Sequence, residues 1–190
     1  DVINIGCGPT PMLYYATHQL SSDAGMMITG SHNPPNFNGI KMVLSGKPFF
    51  GVDIQRLGRK IETADVHHGL GSTKTCNVKL DYIKRLLQDF SGVKELSVAW
   101  DPGNGSSGEV VQELIKSLPG KHFLINEIID GNFPAHHPDP TVETNLVQLK
   151  KVVIKNSCDL GIGFDGDGDR IGVIDSKGRI LWGDQLMILF

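Results

Sequence analysis

The sequence predicts an α/β fold of two consecutive units with mixed, mostly parallel sheets. The main observation is that strand-like and helix-like segments alternate between residues 96 and 164. Such alternation is typical of a parallel sheet covered by helices. A polar, aperiodic stretch at Thr63–Asn77 precedes it and predicts a linker. We therefore expect a first unit at residues 1–76 and a second that begins at residue 77.

The first unit opens with a predicted strand at Val2–Ile5. Thr10 is then a suitable N-cap for a helix, with Pro11 at its first helical position. Gly25–Thr29 is apolar and predicts a buried strand. A second helix is predicted from apolar residues at helical spacing: Ile54, Leu57 and Ile61.

The second unit begins with an amphipathic helix whose apolar face includes Tyr82, Ile83 and Leu86. Four strands and two helices are predicted after it. The strands are Leu96–Trp100, His122–Ile129, Asp159–Phe164 and Ile171–Ile174, and the helices are Gly108–Leu118 and Asn145–Lys155.

Composition excludes several classes of protein. The 190 residues carry a net charge of -3, without the basic excess of a nucleic-acid-binding protein. No apolar run approaches the roughly 20 residues of a membrane helix. The three cysteines are widely spaced and form no C-x-x-C pair, so we expect a reduced, cytoplasmic protein. Apolar segments at both ends, Val2–Ile5 and Leu186–Phe190, suggest a fragment of a longer chain.

An acidic loop follows the strand at Asp159–Phe164. Asp165, Asp167 and Asp169 lie within five residues, and the intervening glycines allow the backbone to bend so that the carboxylates converge. Carboxylates this close repel one another unless they titrate or bind a cation. Their hard oxygen atoms suit Mg²⁺, Mn²⁺ or Ca²⁺. The alternative is a solvated acidic turn without a ligand.

A serine loop follows the predicted strand at Gly25–Thr29. Ser31 lies at the carboxyl end of that strand, where α/β proteins place their sites. Asn33-Pro-Pro35 stiffens the loop, and Gly39 permits a further tight turn. Since serine, asparagine, proline and glycine are also common turn residues, an ordinary polar turn is the alternative.

A glycine-rich turn at Gly103–Gly108 matches the pattern G-x-G-x-x-G between a strand and a helix. Glu127 lies near the end of the next predicted strand, so the segment fits a dinucleotide-binding fingerprint. A tight turn with close packing of helix against sheet is the structural alternative.

Together these segments resemble the α-D-phosphohexomutase family, and most closely its bacterial phosphomannomutase/phosphoglucomutase branch. In that family the glycine-rich turn is structural. The resemblance covers nearly the whole chain and rests on four ordered motifs and on Pro9-Thr-Pro11. The motifs are Thr29-Gly-Ser-His-Asn-Pro34 with Gly39-Ile-Lys41, Asp101-Pro-Gly-Asn-Gly105, Asp130-Gly-Asn-Phe-Pro-Ala-His-His-Pro-Asp-Pro140 and Gly163-Phe-Asp-Gly-Asp-Gly-Asp-Arg170.

The resemblance implies a role for each site residue. Ser31 would carry a phosphoryl group and, with the three aspartates, bind one Mg²⁺ ion. Lys41 would be an acid/base with a pKa lowered by neighbouring cations. His32 would assist catalysis, although a purely structural role for it is equally open. Two residues would position the phosphate: Asn33 and Arg170.

The implied reaction moves phosphate between O1 and O6 of a hexose, mannose or glucose, through a 1,6-bisphosphate that also serves as activator. The resemblance further implies three-layer α/β domains, with residues 1–76 forming the incomplete first, 77–178 the complete second and 179–190 the start of a third. The rest of the third domain and a fourth would be missing, so we expect the isolated chain to be inactive. Three alternatives remain: a phosphoglucosamine mutase, a non-catalytic metal- or phosphate-binding module, and half of a dinucleotide-binding oxidoreductase.

Overall fold

A computed structural model describes residues 1–64, 67–92 and 94–188. Among these residues, no helix combines the length and apolarity that crossing a bilayer requires. The predicted α/β class is confirmed, and the sheets are mixed. The described strands form three parallel and four antiparallel pairs. The antiparallel share is larger than the strand–helix alternation predicts, because short hairpins lie between the longer elements.

The first unit contains two small sheets and two helices. Its elements are β1 (Val2–Asn4), α1 (Thr10–Gln19), β2 (Ala24–Ile28), β3 (Ile40–Leu44), β4 (Lys47–Pro48), α2 (Val52–Glu62) and β5 (Thr73–Thr75). β1 pairs with β5 in parallel, and β2, β3 and β4 form an antiparallel sheet.

Helix α1 covers only one face of the β2–β3–β4 sheet. Gly25 of β2 lies against Thr17 and Leu13 of α1, which leaves no room for a larger residue. The opposite face is apolar and exposed, with Met26 and Ile28 on β2 and Ile40 on β3. Among the described residues, no helix layer covers this second face.

The second unit is built around a five-stranded sheet. Its elements are α3 (Lys79–Gln88), β6 (Leu96–Asp101), α4 (Gly108–Leu114), β7 (Gly120–Leu124), α5 (Val147–Lys155), β8 (Leu160–Phe164), β9 (Ile171–Asp175), β10 (Ile180–Leu181) and a short α6 (Gly183–Leu186). The strand order is β10-β9-β8-β6-β7, with β6 parallel to both of its neighbours.

Helices cover both faces of this sheet and make it the middle of three layers. Ala99 of β6 packs with Leu149 and Val153 of α5 on one face. Val98 and Trp100 of the same strand pack with Val111 of α4 on the other face. Alternate residues of one strand thus enter two separate hydrophobic cores, as the pleat of a central strand requires.

The order of the strands predicts where a site forms. The chain passes from β6 to β7 through α4, and then across β6 to β8 through α5. The connections therefore leave β6 and β8 in opposite directions, and a crevice opens beyond the carboxyl ends of these strands. The acidic loop follows β8 and the glycine-rich turn follows β6, so both border that crevice.

Several predicted boundaries were wrong. Thr10 is the first helical residue of α1 rather than its N-cap, which is Pro9. The predicted linker at Thr63–Asn77 contains β5, a strand too short and polar to show a period. The strand predicted at His122–Ile129 is β7, which ends at Leu124. Beyond it, the backbone N–H of Asn104 donates a hydrogen bond to the carbonyl of Asn126 and so fixes a loop in place of ladder pairing.

Two helices were predicted slightly too long. α4 ends at Leu114 and continues as a 3₁₀ turn at Ile115–Ser117. α5 begins at Val147, preceded by a 3₁₀ turn at Glu143–Leu146. The end of the apolar segment Leu186–Phe190 lies outside the described residues.

Candidate active site

The acidic loop joins β8 to β9 as a tight turn at the crevice. Gly168 adopts a φ of +66°, which favours glycine. The carboxylate of Asp165 closes the turn, because its Oδ1 accepts hydrogen bonds from the backbone N–H groups of Asp169 and Arg170, both at 3.0 Å. The loop is thus ordered by its own first carboxylate.

The three aspartates of this loop converge as predicted. One carboxylate oxygen from each residue lies within 4.8 Å of those of the other two, with Asp165 and Asp167 buried and Asp169 exposed. Oδ1 of Asp167 is buried and has no hydrogen-bond partner among the described residues. An orphaned buried carboxylate oxygen is costly unless a ligand reaches it. This donor set of hard oxygens therefore fits a divalent cation such as Mg²⁺.

Burial and hydrogen bonding together give two of these carboxyl groups different pKa values. It raises the pKa of Asp165 to about 6, and the charges of Asp167 and Asp169 act in the same direction. Burial also opposes ionisation of Asp167, but hydrogen bonds from Lys41 and Thr10 outweigh it and lower its pKa. Asp167 is therefore the firmly ionised member of the pair.

The serine loop begins directly after β2. The backbone N–H of Thr29 donates to the carbonyl of Gly39 at 3.0 Å and closes the base of the loop. The Thr29 hydroxyl accepts a 2.7 Å hydrogen bond from the N–H of Ser31. Ser31 has a φ of +53°, an uncommon conformation for a residue with a side chain. Such local strain is concentrated at functional sites.

The two loops meet at Ser31 although they are far apart in sequence. The Ser31 hydroxyl donates a 3.1 Å hydrogen bond to Oδ2 of Asp165 and lies 3.3 Å from Nδ1 of His32. The carbonyl of Ser31 packs so closely on Gly166 that a Cβ there would overlap it. A nucleophilic hydroxyl thus lies beside the candidate cation ligands.

Lys41 projects from β3 toward the same carboxylates. Its Nζ lies 2.7 Å from Oδ2 of Asp167 and also contacts Asp169. The prediction of a lowered pKa was wrong. Burial does act to lower the pKa of Lys41, but its hydrogen bonds to the two carboxylates outweigh burial and raise it. Carboxylates of the acidic loop lie next to this ammonium group.

Arg170 and His32 pair at the rim of the site. Nη1 of Arg170 lies 3.3 Å from Nε2 of His32. Burial acts to raise the pKa of Asp139, but hydrogen bonds from Thr141 and the positive charge of Arg170 outweigh burial and lower that pKa. Asn33 lines a large cavity beside the serine loop, and in the described part of the chain its side chain has no hydrogen-bond partner.

The glycine-rich turn packs against the backbone of the acidic loop at Gly166. A Cβ at Gly105 would lie 2.7 Å from the carbonyl oxygen of Gly166, and one at Gly108 would overlap the carbonyl of Glu127. Close packing therefore accounts for Gly105 and Gly108, two of the three glycines that match a dinucleotide fingerprint. The backbone N–H of Ser106 donates to the carbonyl of Gly166 at 2.9 Å and fixes the contact.

Sequence reasoning missed two residues of the site. The buried Thr10 hydroxyl donates to Oδ2 of Asp167 at 2.6 Å. The Thr29 hydroxyl accepts a hydrogen bond from the backbone N–H of Ser31. Both lie inside motifs that carried the family resemblance, and this was the only signal in the sequence. A threonine at a helix start or a strand end has common local roles that hide a long-range one.

The fold and the acidic loop define an α/β protein with a candidate divalent-cation site at a strand crossover. Comparison with known families narrows this class. The model of phosphoglucomutase/phosphomannomutase α/β/α domain I matches residues 1–67, and that of domain II matches residues 80–178. The chain therefore belongs to the phosphoglucomutase/phosphomannomutase family.

Individual relatives agree with this assignment. A phosphomannomutase/phosphoglucomutase of Pseudomonas aeruginosa is 41% identical over 190 residues, covering 100% of this chain and 41% of the relative. A phosphoglucomutase of Neisseria meningitidis serogroup B is 37% identical over 192 residues, covering 100% of this chain and 42% of the relative. The chain thus spans less than half the length of these relatives.

A solved structure also matches the whole chain. A phosphoglucomutase/phosphomannomutase family protein from Burkholderia thailandensis superposes with a TM-score of 0.94 at 37% identity, covering 100% of this chain and 43% of that protein. A putative phosphomannomutase from Thermus thermophilus gives a TM-score of 0.79 at 25% identity, covering 97% of this chain and 44% of that protein.

Proposed function

We propose that this chain carries the phosphoserine and metal-binding loops of a phosphohexomutase that interconverts hexose 1-phosphates and hexose 6-phosphates. The observation that carries the proposal is the 3.1 Å hydrogen bond between the Ser31 hydroxyl and Asp165, beside a buried carboxylate oxygen without a partner among the described residues. The names of the relatives support mannose and glucose phosphates as substrates, and a cytoplasmic location is part of the same proposal. The three free cysteines suit a reducing compartment.

Four residues fit the ligands of one Mg²⁺ ion: Ser31, Asp165, Asp167 and Asp169. When bound there, the ion would neutralise negative charge that develops on the transferred phosphoryl group. The loops themselves supply orientation, because the Ser31 backbone is fixed by Thr29 and by its contact with Gly166. Holding the reactants in line is a large part of catalysis in phosphoryl transfer.

The reaction consists of two phosphoryl transfers. In the first, the bond between phosphorus and the Ser31 oxygen breaks as a hydroxyl oxygen of the sugar phosphate bonds to phosphorus; that hydroxyl loses its proton to a base, and the Ser31 oxygen takes up a proton. The 1,6-bisphosphate then reorients. In the second transfer the Ser31 hydroxyl loses its proton and takes the other phosphoryl group, while the sugar oxygen that loses this group takes up a proton. No nucleotide is consumed, and the bisphosphate is both intermediate and activator.

Lys41 is the proposed acid/base of these proton transfers. In its observed position it is a protonated donor to Asp167 and Asp169, so the neutral form that accepts a proton requires these contacts to be lost. Arg170 stays charged at all relevant pH values and can bind a phosphate through two parallel hydrogen bonds. His32 and Asn33 belong to the same loop as Ser31 and are proposed to orient the phosphate.

The test is phosphosite mapping of the natural full-length protein before and after incubation with glucose 1,6-bisphosphate and Mg²⁺. We expect one phosphate on Ser31 and none on the Ser31→Ala variant, together with loss of mutase turnover in that variant. A folded, Mg²⁺-treated protein without phosphate at Ser31 would contradict the mutase and favour a metal- or phosphate-binding module. Turnover with glucosamine 1-phosphate but not with mannose or glucose 1-phosphate would favour the phosphoglucosamine mutase. We also propose that the isolated 190 residues lack turnover, which the same assay tests.

A further inference from the structure

A loop between β7 and α5, residues 125–140, lies beside the candidate site but has no part in the proposed reaction. It is anchored by Asp101, which ends β6 and is 1% exposed. Oδ1 of Asp101 accepts hydrogen bonds of 2.9 Å from the backbone N–H of Gly103 and from the side chain of Asn126. Nε2 of His136 lies 2.9 Å from the other oxygen, Oδ2.

The contact between Asp101 and His136 is an ion pair when the imidazole is protonated. The imidazole of His136 is largely buried, and its Nδ1 lies 3.0 Å from the carbonyl oxygen of His137. The hydrogen bond with Asp101 raises the pKa of His136 against the opposing effect of burial. A buried carboxylate is thus fully satisfied by donors from both ends of the 125–140 loop.

Asn104 provides a second anchor for the same loop. Its side-chain NH₂ group donates to the carbonyl of Ile128 at 2.8 Å, and its backbone carbonyl accepts from the N–H of Asp130 at 2.9 Å. Its side-chain oxygen accepts from the N–H of Ala135 at 3.3 Å. The 125–140 loop is therefore fixed to the turn after β6 along most of its length.

The loop reaches the acidic loop through Pro138. A Cβ built at Gly166 would lie 3.4 Å from Cγ of Pro138 and would overlap the carbonyl of Ser31, so both groups are neighbours of the Gly166 Cα. The backbone of Gly166, between two candidate cation ligands, is thus enclosed by Pro138, the serine loop and the N–H of Ser106. A movement of Pro138 would change the spacing of these ligands.

We propose that the Asp101–His136 pair is a positioning element that, through Pro138 and Gly166, sets the geometry of the cation ligands Asp165 and Asp167. Neither Asp101 nor His136 forms a hydrogen bond with these two ligands among the described residues, so both act on them indirectly. The inference rests on the proposed function only in requiring that the acidic loop binds a divalent cation.

The test compares Mn²⁺ affinity, measured by electron paramagnetic resonance, in the natural full-length protein and its variants. His136→Leu removes the bond to Asp101, and we expect it to weaken Mn²⁺ binding by about 2- to 30-fold, the range of coupling through packed networks. His136→Gln retains an N–H donor and should recover most of that affinity. His122→Leu is the control, because His122 accepts a hydrogen bond from Trp100 on the same sheet and, in the described part of the chain, has no hydrogen bond to the 125–140 loop.

Melting temperatures of all variants separate positioning from stability. A merely structural role would lower the melting temperature of His136→Leu and leave the Mn²⁺ affinity of its folded form unchanged, which would overturn the inference. A loss of affinity that His136→Gln shares in full would also overturn it, because packing rather than the pair would then matter. If His136→Leu does not fold, Asn126→Ala, which removes a weaker donor to Asp101, should weaken binding by a smaller factor. If the unsubstituted protein binds no Mn²⁺, the inference and the proposed metal site fail together.

Discussion

The hydroxyl of Thr10 donates a 2.6 Å hydrogen bond to the carboxylate of Asp167, 157 residues further along the chain. The backbone N–H of Thr10 also donates to the carbonyl of Asp167 at 2.8 Å. The first turn of α1 is thereby fixed to the acidic loop of the second unit. Since both side chains are almost completely buried, water cannot replace either partner.

Valine has nearly the shape of threonine but lacks its hydroxyl. We expect Thr10→Val to destabilise the protein by about 1–3 kcal/mol, because a buried carboxylate oxygen of Asp167 loses a hydrogen-bond donor. Thr10→Ser keeps the hydroxyl and should lose less. Chemical denaturation of the full-length protein without divalent cations measures the difference. Valine and serine variants of equal stability would show that the hydroxyl contributes nothing.

A substitution of Gly166 tests the importance of the contact between the serine loop and the acidic loop. A Cβ at this position would overlap the carbonyl of Ser31, and backbone atoms cannot yield as a flexible side chain can. We expect Gly166→Ala to cost about 1–3 kcal/mol of stability, as overpacking does, and to abolish phosphorylation of Ser31. Calorimetry and phosphosite mapping are the measurements.

The matched control for that variant is Gly131→Ala. Gly131 is exposed in a turn of the 125–140 loop, and no atom lies within 4 Å of a Cβ built there. Its substitution should leave both stability and phosphorylation nearly unchanged. If both alanine variants behave alike, the close approach of the two loops has no importance for the site.

The sequence predicted the second unit better than the first. The strands β6, β8 and β9 are apolar enough to be recognised, because two layers of helices cover their sheet. In the first unit, β3 and β4 form a hairpin that no period reveals. β5 is recognisable only through its parallel pairing with β1, whose residues Val2, Ile3 and Asn4 lie opposite Thr73, Lys74 and Thr75.

The candidate site followed from local motifs more than from general principles. Three aspartates in five residues indicated a cation site without reference to any fold, and the structure brings their oxygens together. The contacts of Ser31 with Asp165, and of Lys41 with Asp167, depend on how two units pack, which no local pattern encodes. For the same reason, the acidic surroundings of Lys41 and their effect on its pKa could not be predicted.

Lys41 provides positive charge to the acidic loop when no cation is bound. We expect Lys41→Met to lower the melting temperature in the presence of a chelator, because Asp167 loses a buried charge partner. The same variant should bind Mn²⁺ more tightly, since a cation no longer competes with an ammonium group for two of its ligands. The stabilisation by Mn²⁺ should therefore be larger in the variant.

Lys79→Met is the control for the lysine experiment. Lys79 forms an ion pair with Glu109, and neither residue belongs to the acidic loop. Its loss changes the net charge by the same amount but should leave Mn²⁺ affinity unaltered. Equal affinities in Lys41→Met and the unsubstituted protein would mean that the lysine does not occupy the region of the cation.

The Asp101–His136 pair predicts a pH dependence of stability. The folded-state pKa of His136 is raised above its unfolded value of about 6.5. Its contribution to stability is therefore fully present below about pH 6.5 and is lost as the pH rises through the folded-state pKa. We expect the difference in melting temperature between the unsubstituted protein and His136→Gln to shrink as the pH rises from about 6.5 through the folded-state pKa of His136. Asn126→Ala is the control: it removes an uncharged donor to Asp101, so its difference in melting temperature from the unsubstituted protein should stay constant with pH. A difference for His136→Gln that also stays constant with pH would show that His136 is not charged when it is paired with Asp101.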